Sequence, residues 1–406
     1  MAVLKLLLVL ALIVFGIKRK IFVGYLLLGA GVVTPFLFGF GPVDVVLGVW
    51  GTLLSSGFWR LFAAIVIITI LGHLLKEMGS LDRLTAAARE LAGGKRTAAA
   101  VLPAAVGMMP MPGGAVMSAP LIGEVLKDDD KSPRFLSATN YWFRHIMEFF
   151  WPLYPGIILA SGIIGVPVQR LSLMGMIMSA AMIAVGYLFF LRAIPSQNHA
   201  PRSLRAAGSM ALALWPLFLA VFLAMALGID IVIALLIAVT VTIVTNRSSR
   251  PLIWPVIKEA VTVRLFFMVF GILVFKDLLE LSGAVGHIPA DVARLGIPPA
   301  MVIFAVPFMV GLLTGMVSAF VGLSFPILAG FLYSPNIIFG NIFLAYLGGY
   351  LGMILSPTHF CLLLTAEHFG AELGSVYKTF IIPLSVLALI GITLYVLGYP
   401  WHLISP

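Results

Sequence analysis

Long apolar runs separated by short polar loops occupy almost the whole chain, and the pattern is written twice. Arg60-Leu61-Phe62 opens one run, and Arg264-Leu265-Phe266 opens another 204 positions later. The offset holds at Leu74-Leu75 against Leu278-Leu279 and at Gly79 against Gly283. It drifts by only a residue or two where Met117-Ser118-Ala119-Pro120 faces Leu323-Ser324-Phe325-Pro326, and where Tyr154-Pro155 faces Ser356-Pro357. Duplicated hydrophobic halves, each interrupted by Gly and Pro, point to a secondary transporter.

The runs predict ten membrane spans, near 2–16, 21–40, 59–77, 137–163, 168–191, 208–227, 229–246, 258–279, 336–366 and 376–398. Two further apolar segments are broken at their middles, 98–125 by Pro110-Met111-Pro112-Gly113-Gly114 and 298–331 by Gly311, Gly315 and Gly322. We read them as re-entrant hairpins, since irregular backbone at membrane depth must pack in protein or line a cavity. The plainer alternative is a pair of kinked spans; the matching places of the breaks favour hairpins. The predicted fold is thus an all-α polytopic membrane protein. Residues 1–192 form a first repeat, 193–207 a cytoplasmic linker and 208–406 a second repeat. Each repeat has five spans and one hairpin. Five is odd, so the second repeat is expected to be inverted relative to the first.

Loop charge gives an independent reading. Lys18, Arg19, Lys20, Arg83, Arg89, Lys95, Arg96, Lys127, Lys131, Arg134, Arg202, Arg205, Arg247 and Arg250 all fall on one side of this topology, with little beyond Arg60, Arg170 and Arg294 on the other. The positive-inside rule makes the first side cytoplasmic and puts both termini outside. The expected location is the cytoplasmic (inner) membrane. Lys18-Arg19-Lys20 follows the first run without a small-residue cleavage site, so that run reads as a retained helix. Two connectors carry an amphipathic spacing, Leu84, Ala88 and Leu91 before the first hairpin and Ile288, Val292 and Leu295 before the second. They read as interfacial helices, although Pro289 leaves a plain loop open for the second.

Composition narrows the class. The 406 residues are 61% hydrophobic and only 10% charged, against about 25% charge in a soluble domain, and mean hydropathy is +1.13. The net charge of +9 is accounted for by loop Lys and Arg, not by a nucleic-acid surface. A single cysteine, Cys361, excludes an internal disulfide framework and a Cys-based metal cluster. No H-E-x-x-H, G-x-S-x-G or Walker loop occurs, so no enzyme and no nucleotide-driven pump is expected.

Candidate chemistry lies at the breaks. Gly113 and Gly114 permit close backbone approach. Half-helix N-termini at the hairpin tips suit an anion, and Ser118, Thr314, Ser318 and Ser324 add hydroxyls. The spans after the hairpins begin near Asn140 and Asn341 and break at Tyr154-Pro155 and Ser356-Pro357. Carbonyls freed there are suited to Na⁺. Asn140, Arg144 and Glu148 recur every four residues, which places them on one helical face. An intramembrane charge is a functional hypothesis by default. Arg144 would hold a carboxylate and Glu148 a proton or cation, or the two would neutralise each other. His145 lies off that face and is expected near the cytoplasmic interface. His359, with Ser356 and Thr358, is the better candidate for substrate or proton contact.

The Pro/Gly-rich hairpin ending in Ser118-Ala119-Pro120, its partner ending in Ser324-Phe325-Pro326, and Ser356-Pro357-Thr358-His359 make the chain resemble the ion-transporter superfamily of secondary carriers, closest to a ten-helix branch. The resemblance covers almost the whole chain. It implies a homodimeric elevator in which spans one to three and six to eight form the scaffold and the rest moves. The Ser-Asn-Thr tips of the divalent-anion symporters are absent here, which puts transfer of their ligand sets in doubt. The expectation is transport of a small organic solute, an anion favoured, coupled to Na⁺ or H⁺. The rivals are a channel or lipid-handling protein, a membrane hydrolase using His145, Glu148 or His359, and the membrane subunit of a binding-protein-dependent carrier.

Overall fold

The computed structural model describes residues 2–80, 83, 86, 94–109, 114–195, 204–246 and 251–400. All regular structure among them is helical. In the first half the helices are α1 (Ala2–Lys18), α2 (Val23–Leu37), α3 (Pro42–Leu54), α4 (Ser56–Glu77), α5 (Lys95–Gly107), α6 (Ala115–Val125), α7 (Pro133–Arg144), α8 (Pro155–Ile164) and α9 (Val168–Phe189). In the second half they are α10 (Leu204–Met225), α11 (Ile231–Thr245), α12 (Ile253–Ala260), α13 (Val263–Leu281), α14 (Ala284–Arg294), α15 (Pro299–Thr314), α16 (Val317–Ile327), the one-turn α17 (Ala329–Leu332), α18 (Phe339–Ile354), α19 (Phe360–Phe369) and α20 (Leu373–Val396).

Three helical segments, Ser56–Glu77, Val168–Ala193 and Leu373–Val396, are long and apolar enough to cross a membrane unaided. Most other apolar helices have 10–17 residues, short of the roughly 20 that a bilayer core requires. Their outer faces are nonetheless apolar. On α1, Leu4, Leu8, Leu12 and Phe15 are exposed while Leu6, Val9 and Ile13 are buried. On α20, Leu389, Ile392 and Val396 are exposed while Phe380, Leu384 and Leu387 are buried. A helix apolar on both its inner and outer faces is solvated by lipid, so this is a membrane protein.

The first hairpin's break lies between Gly107 and Ala115, as its Pro/Gly run predicted; in the second, only Gly315 marks the break, and Gly311 and Gly322 lie inside α15 and α16. α5 and α6 pack on each other as one hairpin, α15 and α16 as another. The spans expected at 137–163 and 336–366 are each two helices with an irregular joint, α7–α8 and α18–α19. Two helices were not foreseen: α3 and α12, which occupy stretches assigned to loops or to the edge of a span. Of the two expected interfacial helices, the one carrying Leu84, Ala88 and Leu91 lies outside the described residues. The other is a helix, α14, with Ile288 and Val292 buried, Leu295 exposed and Pro289 accommodated inside it, which removes the plain-loop alternative. It joins α15 through a bend of 119°.

Two groups of helices pack together. In one, α2 lies along α13, α3 against α13, α11 and α12 against α4, α1 against α2 and α10 against α11. Small residues allow the α2–α13 approach: a Cβ on Gly31 would stand 2.9 Å from the Phe275 Cα, and one on Gly24 would stand 2.6 Å from the Phe267 carbonyl. Without a hydrophobic drive between helices in lipid, such close backbone packing supplies much of the association energy. Caps set the entries to the paired long helices: Ser55 accepts from Phe58 N ahead of α4, and Thr262 from Leu265 N ahead of α13. In the other group, α15 lies along α18, α5 along α7, and α19 against α6 and α7, while α9 meets α20. The two groups touch where α8 meets α4 and α16 meets α13.

Candidate functional site

Both hairpin tips and both helix breaks meet at one buried centre. α7 ends at Arg144, and the chain then runs through the 3₁₀ turn Ile146–Phe149 to Tyr154, which precedes α8. Arg144, His145 and Glu148 are all buried. Gly114 at the first tip leaves the space that the Arg144 side chain fills. Arg144 Nη1 donates to Cys361 Sγ at 3.2 Å, and the Ala115 N–H of the same tip also donates to that sulfur. At the second tip the Gly315 carbonyl lies 2.7 Å from His359 Nδ1. Gly315 sits at φ +65°, and a Cβ there would stand 2.8 Å from the His359 Cα, so this left-handed turn pressed on the second break demands glycine. Gly156, just after the first break, faces Val317 of the second hairpin.

His145 is fully buried, contrary to the interfacial place expected of it. Its Nδ1 lies 2.6 Å from the Tyr141 carbonyl, and its Nε2 lies 3.0 Å from Nε2 of His359. Glu148 Oε1 accepts from Tyr154 Oη at 2.9 Å and stands 3.8 Å from His145 Nε2. Tyrosines close the breaks. Tyr350 Oη donates to the His145 carbonyl at 3.0 Å, Tyr346 Oη to the Glu148 carbonyl at 2.9 Å, and Tyr141 Oη to the Ile354 carbonyl at 3.0 Å.

The expected single face of Asn140, Arg144 and Glu148 is corrected. The α-helix stops at Arg144 because the chain turns into the break, so Glu148 reaches the centre from a 3₁₀ turn. Arg144 does not ion-pair with Glu148; its Nη1 donates to Cys361, and Glu148 Oε1 accepts from Tyr154. Asn140 is buried beside this centre and donates through Nδ2 to Thr365 Oγ1 at 3.1 Å. Several buried polar atoms have no partner, among them Ser118 Oγ, Asn140 Oδ1, Arg144 Nε, Glu148 Oε2 and Ser324 Oγ. Such atoms are costly unless something else satisfies them.

The remaining candidates lie further out. Ser356 Oγ is 2.9 Å from Thr358 Oγ1, and Thr358 is exposed in a cleft shared with Lys20, Leu313, Thr314 and Met316. Thr314 Oγ1 donates back to the Val310 carbonyl. Ser318 lines a cavity of about 380 Å³ between the two helix groups, together with His73, Pro155, Glu259 and Arg264. Asn341 stands apart, bonded to the Phe331 carbonyl at 2.8 Å and to Tyr395 Oη at 3.1 Å. Gly113 lies outside the described residues.

One donor atom each from His145, His359 and Cys361 lies within 4.8 Å of the others. The thiol of this group also accepts from the Arg144 guanidinium.

A family model described as "Protein of unknown function (DUF401)" matches residues 1–397. The chain belongs to this family. The match takes in both hairpins, both breaks and every residue of the buried centre. No curated protein matches the chain. The sequence reading gives Tyr141, Tyr346 and Tyr350 no role, uses Tyr154 only to mark a break and Cys361 only to exclude disulfides and a Cys-based metal cluster, and places His145 at the interface or in the hydrolase alternative. A usable signal was present in the spacing of Tyr141 and His145, and of Tyr346 and Tyr350, each one helical turn apart beside a predicted break.

Proposed function

We propose that this protein is a secondary active transporter of the inner membrane, moving a small anionic organic solute by an elevator motion coupled to an ion gradient. The observation that carries the reading is the convergence of two hairpin tips and two broken helices on buried Arg144, Glu148, His145 and His359. Irregular backbone and ionisable groups at such depth belong to substrate and ion pathways. The unspent atoms of Ser118, Asn140, Arg144, Glu148 and Ser324 give a solute something to bind, and the N-termini of α8 and α19 present their positive dipole ends beside the breaks.

The proposed inverted repeat is supported by packing that recurs with the halves exchanged. α2 on α13 is matched by α11 on α4, α3 on α13 by α12 on α4, and α5 on α7 by α15 on α18. Lys95 pairs with Asp129 at 2.9 Å, while Arg96 and Lys131 reach the carbonyls of Ile194 and Ala193 at the end of α9. That basic cluster suits the cytoplasmic side. In the elevator reading, the group built on α2–α13 and α4–α11 is the scaffold. The group holding the buried centre moves along it, with the cavity at Ser318 and Arg264 as the solute's approach.

Uptake into proteoliposomes tests the reading. A panel of mono-, di- and tricarboxylates is expected to include one taken up saturably under an imposed Na⁺ or pH gradient. Unsaturable flux, or turnover of a compound in detergent without a gradient, would overturn it.

A further inference from the structure

Two histidines from opposite halves of the chain meet through the same ring nitrogen, and backbone carbonyls fix the protons on the other. A carbonyl oxygen only accepts. Nδ1 of His145, 2.6 Å from the Tyr141 carbonyl, therefore carries hydrogen, and so does Nδ1 of His359, 2.7 Å from the Gly315 carbonyl. With both Nδ1 atoms protonated, each neutral ring is left with a bare lone pair on Nε2. Those lone pairs point at each other across 3.0 Å. Two acceptors at that distance repel, whereas one proton between them makes an N–H···N bond of ordinary length.

We propose that His145 and His359 share one proton between their Nε2 atoms, and that this proton is the coupling ion of the transport cycle. The second part rests on the transporter reading given above.

The surroundings fit a proton better than Na⁺. Four carbonyls at the breaks that would otherwise suit Na⁺ already accept hydroxyls: those of His145, Glu148 and Ile354 from tyrosines, and that of Ile146 from Ser179 Oγ at 2.6 Å. The groups facing the pair are Tyr141, Arg144 and Glu148 on the first segment, Tyr154 from its break, Tyr350 from α18 and Cys361 from α19. Among these, Glu148 Oε1 lies 3.8 Å from His145 Nε2 and balances the added charge. With the proton held, the centre carries Arg144 and the histidine pair against the single carboxylate of Glu148. Its surplus positive charge favours an anion. Without the proton that surplus is gone. Proton and anion therefore bind in each other's favour, which is symport. The second hairpin is built into the device, because Gly315 at its tip holds the His359 tautomer. Withdrawing the tip removes that acceptor and frees the ring to surrender the proton.

Nitrogen-15 spectra of histidine-labelled full-length protein in lipid nanodiscs read the first part directly. Two rings are expected with protonated Nδ1 and a shared Nε2 proton, and His145→Gln or His359→Gln should each abolish the shared signal. His368→Gln, at an exposed position, should leave it intact. Two neutral rings protonated only at Nε2 would overturn the proposal, as would a stoichiometric metal in the purified protein that His359→Gln removes. For the second part, uptake of potassium salts of carboxylates is driven separately by pH and by Na⁺ gradients. A pH gradient alone should drive it, and His359→Gln should slow it by about tenfold or more. Uptake driven by Na⁺ alone overturns the coupling role while leaving the transporter standing. No uptake of any salt under either gradient counts against transport itself, and the nitrogen spectra still decide the shared proton.

Discussion

Gly114 and Arg144 are complementary in shape: a Cβ on Gly114 would stand 2.5 Å from Nη2 and 3.2 Å from Nε of the arginine. The first hairpin tip therefore seats the guanidinium. Gly114→Val is expected to displace it and break its bond to Cys361. Losing a charge-assisted hydrogen bond of about 1.5–3 kcal/mol corresponds to a roughly 10- to 100-fold fall in uptake rate. The Gly114→Val protein should still purify as a folded species, and unchanged uptake would remove Arg144 from the site.

Glu148 is held by one hydroxyl, that of Tyr154, and its Oε2 is unspent. Glu148→Gln keeps the size and an acceptor for Tyr154 but removes the charge. Uptake should collapse while the thermal midpoint moves little. Tyr154→Phe should instead cost about 1 kcal/mol of stability with partial activity. If the two variants behave alike in both assays, the carboxylate has no role distinct from packing.

Gly29 and Gly31 lie on the same helix and differ only in what they face. Nothing approaches a Cβ at Gly29, whereas one at Gly31 meets Phe275 backbone. Gly31→Ala is expected to destabilise by about 1–3 kcal/mol through overpacking, and Gly29→Ala to be neutral or slightly stabilising. Thermal denaturation of both in one detergent decides it; equal midpoints would mean α2 and α13 do not pack as described.

The Val3 N–H, 3.2 Å from Asp291 Oδ2, ties α1 to α14 and holds that carboxyl below the usual carboxylate range. A depressed folded pKa contributes stability above the ordinary carboxylate pKa of about 3.9 and loses it as pH falls through the folded value. Hydrogen exchange in the first turn of α1 should accordingly accelerate in acid, and in Asp291→Asn at neutral pH. Identical exchange in wild type and Asp291→Asn would show that the contact does not anchor α1.

The apolar runs were legible because lipid tolerates little else, and the hairpins because the Pro/Gly run Pro110 to Gly114 and the left-handed Gly315 that ends α15 interrupt otherwise apolar helices. The helix α3 was not legible. Its stretch lies between the spans read at 21–40 and 59–77, yet Pro42 sits well in a first helical turn and the Asp44 carboxylate accepts from Gly41 N at 3.0 Å. Local spacing also misplaced the chemistry. Glu148 follows Arg144 by one turn only if the helix continues, and it does not. Asn341 looked like the counterpart of Asn140, but its amide is spent on Phe331 and Tyr395. The histidine pair joins positions 214 apart, and no local period encodes such a contact.

That separation also has a meaning in time. Chains grow at about 5–20 residues per second, so His145 enters the membrane some 10–40 s before His359 exists. For that interval Arg144, His145 and Glu148 sit among apolar helices without Cys361, His359, Tyr346 or Tyr350 to answer them. The first half of this protein must therefore wait, with its polar residues kept wet or sheltered by the insertion machinery, until the second half arrives to close over them.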